Sequence, residues 1–297
     1  MQYLTANDYF RRRFGCKLYK LALDGGMTCP NRDGTKGTGG CIFCSATGSG
    51  DFAEPRCGSV TEQIERAKAR VAAKAGDGRY IAYFQSFTNT YAPVSYLEPL
   101  FSEAISHPDV AALAIATRPD CLPDQVLDLL ARLDRVKPVI VELGLQTIHT
   151  QTAAFIRRGY PLEDYDRAAS ALRGLGIHTV VHVILGLPGE TEEMMLQTVR
   201  YVGQTADGIK LQLLHVLEGT DLAELWRQGR VPMMDLETYA RLLGRCLQVL
   251  PPETVIHRLT GDGAKKELLA PLWTGDKKHV LNYVNQYTGR LEAYGER

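Results

Sequence analysis

The stretch Pro138–Leu185, PVIVELGLQTIHTQTAAFIRRGYPLEDYDRAASALRGLGIHTVVHVIL, decides the fold. It begins and ends in near-continuous apolar runs, PVIVELGL over 138–145 and IHTVVHVIL over 177–185. Between them, Ile148–Arg157 and Glu163–Leu175 have helical periodicity. Strand, helix, strand in that order reads as a βαβ unit whose two strands run parallel in a buried sheet. The alternation continues on both sides. Lys17–Leu23 (KLYKLAL), Arg79–Gln85 (RYIAYFQ), Val110–Ala116 (VAALAIA) and Gly208–Val216 (GIKLQLLHV) read as strands. Ser59–Ala75, with Thr61 as a candidate cap, Val94–Ser106, Pro123–Leu133, Glu190–Gly203 and Asp235–Leu250 read as helices.

Six such strands joined by right-handed crossovers predict an α/β chain, an open, partial (β/α)6 barrel. The barrel is expected to occupy residues 1–250, with the N-terminal segment included. Residues 251–297, with a strand-like run at Val255–Leu259 and two helices, are expected to be a short extension packed on it. Ligands of parallel α/β sheets bind where the loops leave the C-terminal strand ends. The loops Asp24–Asp51, Gln85–Tyr91, Thr117–Asp120, Gln146-Thr147 and Gly186–Glu190 should therefore share a cavity.

The bulk composition narrows the class. No apolar run approaches the roughly 20 residues that cross a bilayer, and Arg11, Arg12 and Arg13 are not followed by the apolar segment of a secretory signal. A cytoplasmic chain with no membrane partner is expected. Net charge is zero, yet residues 1–80 hold 13 Lys/Arg against 8 Asp/Glu. That excess either attracts a phosphate-bearing partner or is an ordinary solvated surface. Seven cysteines without an export signal point to metal or redox chemistry rather than disulfides.

Three of those cysteines lie within one glycine-rich loop after the first strand, Cys29-Pro-Asn-Arg-Asp-Gly-Thr-Lys-Gly-Thr-Gly-Gly-Cys41-Ile-Phe-Cys44. Three thiolates on a four-iron cluster leave one iron open for an outside ligand. A zinc site would want four donors. There is one CxxC, and no histidine lies within 60 residues on either side, although Cys16 or Cys57 could complete the set. Spacing alone favours a cluster and leaves zinc open. Cys121 and Cys246, like Cys16 and Cys57, have no pair spacing and read as inert thiols.

The spacing Cys29-x11-Cys41-Ile-Phe-Cys44, with an aromatic before the last cysteine, resembles the radical S-adenosylmethionine (SAM) superfamily. The widened first gap is similar to the branch holding the catalytic subunit of Elongator. KLYKLALDGGMTCPNRDGT, GGCIFCSATGSGDFAEP, TRPDCL, ELGLQTIHTQTAAFIRRGY, HVILGLPGET and HRLTGD resemble the small YhcC/YtqA-like proteins over nearly the whole chain. The resemblance implies a [4Fe–4S] cluster on Cys29, Cys41 and Cys44. SAM would chelate the open iron and be cleaved by one electron to methionine and a 5′-deoxyadenosyl radical. It further implies that Arg158, or its neighbour Arg157, pairs with the SAM carboxylate, and that Gln146 reaches SAM. An arginine pair exposed to solvent and a structural amide remain open as alternatives. Phe43 is expected beside the cluster and the adenine, and Gly186 in the loop next to the adenine. His182 stands where relatives that make porphyrins carry a ribose ligand, although a satisfied core histidine is the commoner reading. The second strand of the family usually ends in a Gly-Gly-Glu-like turn. Here it reads Gln85-Ser86-Phe87-Thr88-Asn89-Thr90, so Gln85 and Ser86 would meet the SAM ammonium through backbone carbonyls.

Kinship with Elongator implies a tRNA wobble uridine as substrate, and the one-electron cleavage of SAM implies a low-potential flavodoxin or ferredoxin as electron donor. Basic and aromatic residues interleave over Tyr9–Lys20 in a composition suited to phosphates and bases, and Lys265-Lys266 and Lys277-Lys278 extend it. Only about 50 residues follow the barrel, so no acetyltransferase domain is expected. A small metabolite or peptide is the alternative substrate class, and a zinc-stabilised RNA-binding module without catalysis is the alternative outside enzymes.

Overall fold

The computed structural model describes residues 3–295 apart from 49, 76–77, 262 and 264, with side chains described as far as residue 288. Its main sheet joins β1 (Leu18–Leu23), β2 (Arg79–Phe84), β3 (Val110–Thr117), β4 (Val139–Gln146), β5 (His178–Leu185), β6 (Gly208–Leu213) and β8 (Val255–Arg258). The strands lie in that order and every pair is parallel. The sheet curls into a half-barrel. It has seven strands among the described residues, one more than the six expected. Val255-Ile-His-Arg258 is only four residues long and follows two prolines, so it reads as part of a tail. It nevertheless follows the helix α9 (Leu236–Val249) and pairs beside β6, with Ile209 opposite Ile256. The run Gly208–Val216 is also not one strand: β7 (Val216–Leu217) leaves the sheet to pair antiparallel with β9 (Leu268–Ala270).

Helices α2 (Val60–Ala75), α3 (Val94–Ser106), α4 (Asp124–Asp134), α6 (Leu162–Gly174) and α7 (Glu192–Thr205) cover the convex face. Their apolar stripes meet Leu21, Leu23, Phe84, Leu113, Val141 and Leu211 in one continuous core. The cap of α2 is Ser59, whose Oγ accepts from the Glu62 N–H at 3.1 Å. Thr61 lies inside the first turn, and its N–H donates to Glu103 at 2.8 Å. The cap therefore falls two residues before the threonine, at the serine that immediately precedes the first helical residue.

The concave face is closed at one end by α1 (Ala6–Phe14), capped by Thr5 and ended at Gly15, which takes a left-handed φ of 74°. The chain before it bonds the edge strand β8, the Ile256 N–H reaching Leu4 O at 2.8 Å. Phe10, 4 % exposed, packs with Leu18, Ile81, Ile140 and Val180 under the N-terminal strand ends. Tyr9 stacks on His178 with ring centroids 4.7 Å apart. Tyr9, Phe10 and Phe14 of the Tyr9–Lys20 tract thus serve as a plug, Tyr19 packs against the helix-covered core instead, and Lys20 lines the interior cavity. Arg11, Arg12 and Arg13 face solvent, at the closed end. The alternation of aromatics and cations came from an amphipathic helix followed by a strand.

No helix among the described residues is long and apolar enough to cross a membrane. Removing the plug should be costly. Phe10→Ala is expected to lower stability by about 3 kcal/mol or more, the usual loss for a buried ring, measured by urea denaturation of the full chain.

Candidate active site

The loop between β1 and α2 carries the three cysteines across the open end of the half-barrel. It is held by its own backbone: the Arg32 N–H donates to Cys29 O at 2.8 Å and the Cys44 N–H to Cys41 O at 3.0 Å. Gly40 has a φ of 77°, a conformation that side chains rarely adopt, and its N–H donates to Asn31 O at 2.8 Å. Arg32 reaches the Ser45 carbonyl at 2.5 Å and lies over the Phe87 ring. Cys29, Cys41 and Cys44 form no disulfide and line a single cavity of about 430 Å³ at the C-terminal strand ends.

Cys16 and Cys57 are not among the lining residues. Burial, and then the neighbouring Cys44, push the Cys41 thiol up to about 12, and burial likewise raises Cys44. Thiolates at Cys41 and Cys44 call for a strongly positive group beside them, as an iron–sulfur cluster provides. Buried Asn31 adds a donor of the kind that bonds cluster sulfurs: its Nδ2 is 3.6 Å from Cys41 Sγ and 2.7 Å from Arg157 O. The residues present fit a cluster.

Of the other residues singled out above, Phe43, Gln85, Gln146, Arg158 and His182 line the same cavity. Ser86 and Gly186 do not. Ser86 is buried behind the cysteine loop, against Gly50. Gly186 takes a φ of 87° and faces Met234 and Leu213, its N–H on Met195 Sδ at 3.1 Å. The turn after β2 manages without glycine because Phe87 itself adopts a φ of 58°. Its ring lies over Gly48, and its N–H donates to Gly48 O at 2.9 Å. Asn89 staples this turn to the next strand, donating to Phe84 O at 3.0 Å and Ala116 O at 2.9 Å.

Arg158, buried, sends Nη1 to Thr147 O at 2.5 Å and Leu145 O at 3.2 Å, and Nε to Tyr160 O at 3.1 Å. The fork expected for the SAM carboxylate is thus turned largely onto main-chain carbonyls, where it shapes the exit of β4. Arg157 points outward to Asp221. Gln146 ends β4 at a φ of 67°, and its amide, turned so that the nitrogen donates, meets Gly144 O at 3.0 Å and Leu145 O at 2.8 Å. Arg118, in the TRPD segment, forks onto Asp120 with both contacts at 2.9 Å and donates to Arg158 O at 2.9 Å. Lys36 of the cysteine loop reaches the same Asp120 at 2.6 Å. One carboxylate therefore joins the loop to the end of β3.

Deeper in the cavity lies a cluster of which the motif reading singled out His182 alone. Glu142, 1 % exposed in mid-β4, accepts from Lys20 at 2.6 Å, Tyr83 Oη at 2.6 Å, His182 Nε2 at 2.9 Å and Lys210. Lys20, Lys210 and the His182 hydrogen bond together hold its carboxyl well below the usual range, against the opposing effect of burial. An ionised Glu142 fixes the imidazole tautomer: Nε2 carries the proton, and Nδ1 faces Gln212 at 3.5 Å. Burial, reinforced by Lys210, drops His182 to about 4. The signal was present in the sequence as single ionisable residues inside apolar strands, Lys20, Glu142, His182 and Lys210.

A curled parallel sheet with three thiols over its open end defines a class, and comparison with known proteins gives the same one. The model of the Radical SAM superfamily matches residues 32–202, and that of the Radical_SAM C-terminal domain matches residues 206–290. The chain belongs to the radical SAM superfamily, whose enzymes use a [4Fe–4S] cluster and S-adenosylmethionine. It is 44 % identical to YtqA of Bacillus subtilis (strain 168), over 99 % of this chain and 91 % of that protein. It is 29 % identical to a tRNA uridine(34) acetyltransferase of Methanocaldococcus jannaschii, over 54 % of this chain and 31 % of that protein. Among solved structures, Elp3 of Methanocaldococcus infernus superposes with a TM-score of 0.67 at 18 % identity, covering 94 % of this chain and 64 % of that one.

The buried imidazole makes acid stability testable. In the unfolded chain His182 takes up a proton as pH falls through its ordinary value near 6.5, whereas the folded protein resists until about 4. The unfolded state then binds more protons, so stability present above pH 6.5 is lost progressively toward pH 4, at up to about 1.4 kcal/mol per pH unit for one such group. Urea denaturation across that range should show the decline, and His182→Asn should make it shallower.

Proposed function

We propose that this chain binds its cluster through Cys29, Cys41 and Cys44 and acts on a tRNA wobble uridine. With the cluster and SAM bound, the site supplies a 5′-deoxyadenosyl radical that removes a hydrogen atom from a substrate C–H bond. The observation that carries the cluster assignment is the convergence of those three thiols on one cavity at the strand ends. Around it, Phe43 walls the mouth, while Arg118, Gln146 and Arg158 hold the exits of β3 and β4 in shape. The α1 plug keeps bulk water from the far end, so that a reactive species meets only what has entered by the mouth.

The tRNA reading rests on the likeness to the tRNA uridine(34) acetyltransferase and on Phe52. That ring lines the cavity yet is 49 % exposed, a placement suited to stacking on an extruded base. A low-potential flavodoxin or ferredoxin in the cytoplasm is the electron donor of this proposal.

Full-length protein reconstituted anaerobically should release 5′-deoxyadenosine from SAM with dithionite, and Cys44→Ala should reduce release to background. A Cys44→Ala protein that still cleaves SAM would remove Cys44 from the ligand set. For the substrate, tRNA nucleosides of a deletion strain compared with wild type by mass spectrometry should differ at the wobble position; identical profiles would transfer the reaction to a small molecule or peptide. Base–aromatic stacking is worth ~1–3 kcal/mol. Phe52→Ala should accordingly weaken tRNA binding about 5- to 100-fold while leaving SAM cleavage without tRNA unchanged.

A further inference from the structure

Lys20, Tyr83, Glu142, His182, Lys210 and Arg258 all line the floor of the cavity. Charged groups so deep cost more in desolvation than they return unless they are paired. Here the pairing is lopsided. Lys20 and Lys210 share the one Glu142 carboxylate, burial drops Lys210 to about 7 against the pull of Glu142, and His182 beside it is held neutral by burial. An ammonium has three donors. Glu142 takes one from each lysine, and the remaining contact of Lys210 is the Tyr83 hydroxyl at 3.3 Å. The floor thus offers surplus N–H donors to the open space, and an anion arriving there draws Lys210 into its charged form. Ala116 on β3 and Gly144 on β4 leave that space unfilled.

Depth separates this layer from the cysteines. Glu142 lies four residues before Gln146, where β4 ends. At about 3.3 Å per residue that is roughly 13 Å below the mouth. Lys20 and Lys210 each lie three residues before the ends of their strands. A ligand carboxylate held among the cysteines would be at the strand ends, one layer above.

We propose that the cavity floor is an anion subsite, in which Lys20 and Lys210 hold a carboxylate or phosphate group of the reacting substrate and Glu142 keeps the two lysines in place when that group is absent. The proposal rests on the reading that a substrate reacts in this cavity, and it narrows the substrate to one with an anionic group beside the C–H bond attacked. Tyr83 is flanked by both ammoniums, at 4.7 and 5.0 Å from its ring, and supports the geometry from below.

The test is equilibrium binding by calorimetry to the full-length, reconstituted protein, with inorganic phosphate and malonate as separate probes. At least one should bind at a single site per chain, and the better probe tells phosphate from carboxylate. Lys20→Met should weaken that binding roughly tenfold or more, the scale of a charged hydrogen bond, while Lys20→Arg should retain it. Glu142→Gln, which removes the competing negative charge, should tighten it. The Lys20 side chain is 28 % exposed and Glu142 keeps Tyr83, His182 and Lys210, so its replacement is milder than the loss of a wholly buried partner. Circular dichroism establishes that each variant is folded, and Lys20→Gln replaces Lys20→Met if the latter is not. Saturating SAM should leave the probe bound. Absence of saturable binding by either probe overturns the proposal, as does affinity unchanged in the folded Lys20 variant. Displacement of the probe by SAM also overturns it, because the floor would then serve the SAM carboxylate. None of these readings depends on radical chemistry, so a protein that binds the probe but cleaves no SAM would fail the proposed function and not the subsite.

Discussion

A carboxylate almost wholly shut away from water sits at the centre of this molecule, and the interior is arranged around it. Glu142 on β4 takes hydrogen bonds from β1, β2, β5 and β6, through Lys20, Tyr83, His182 and Lys210. Five of the seven strands meet at one side chain. Removing a single partner from such a buried set typically costs about 3–5 kcal/mol, because a charge is left uncompensated. An all-apolar filling of the same volume would have been cheaper to fold and would have left no chamber. The polar layer holds the half-barrel open and fixes which imidazole nitrogen carries the proton.

Above that layer the chain is organised by tethers between loops. Lys36 and Arg118 converge on Asp120, Asn31 reaches the carbonyls of Arg157 and Arg158, and the Phe87 ring covers Gly48. Each joins the cysteine loop to a different strand exit. The loop is long, yet its thiols are positioned by the rigid sheet beneath them, which is how a parallel α/β architecture keeps a reactive site in register.

Much of this was legible in the residues, for identifiable reasons. Parallel strands buried on both faces are apolar along their length, so Val110–Thr117 and Val139–Gln146 announced themselves. The cysteine loop was visible because thiols at close spacing in a glycine-rich run have few other uses. Val255–Arg258 was visible as a run but not as a barrel strand, because four residues carry too little pattern to show what they pair with. The surroundings of Arg158 and Gly186 were not legible for a different reason. Resemblance locates a residue along the chain, whereas the direction of its polar atoms depends on carbonyls that neighbouring strands bring up, such as those of Leu145, Thr147 and Tyr160. The Glu142 cluster needed the fold to be seen, since its members are spread from residue 20 to residue 210 and converge only when the strands are laid side by side.

The helix α1, seated beneath the strands with Phe10 inward, turns the half-barrel into a vessel with a floor. The cysteines stand at the opposite end of that cavity, so a molecule that enters past them and settles on the floor lies beneath any that follow. Traffic is then sequential: the molecule seated deepest has to arrive first and leave last. On that path the order of entry counts alongside chemistry, and a bulky partner at the threshold would act as a stopper that keeps small reactants inside until it departs.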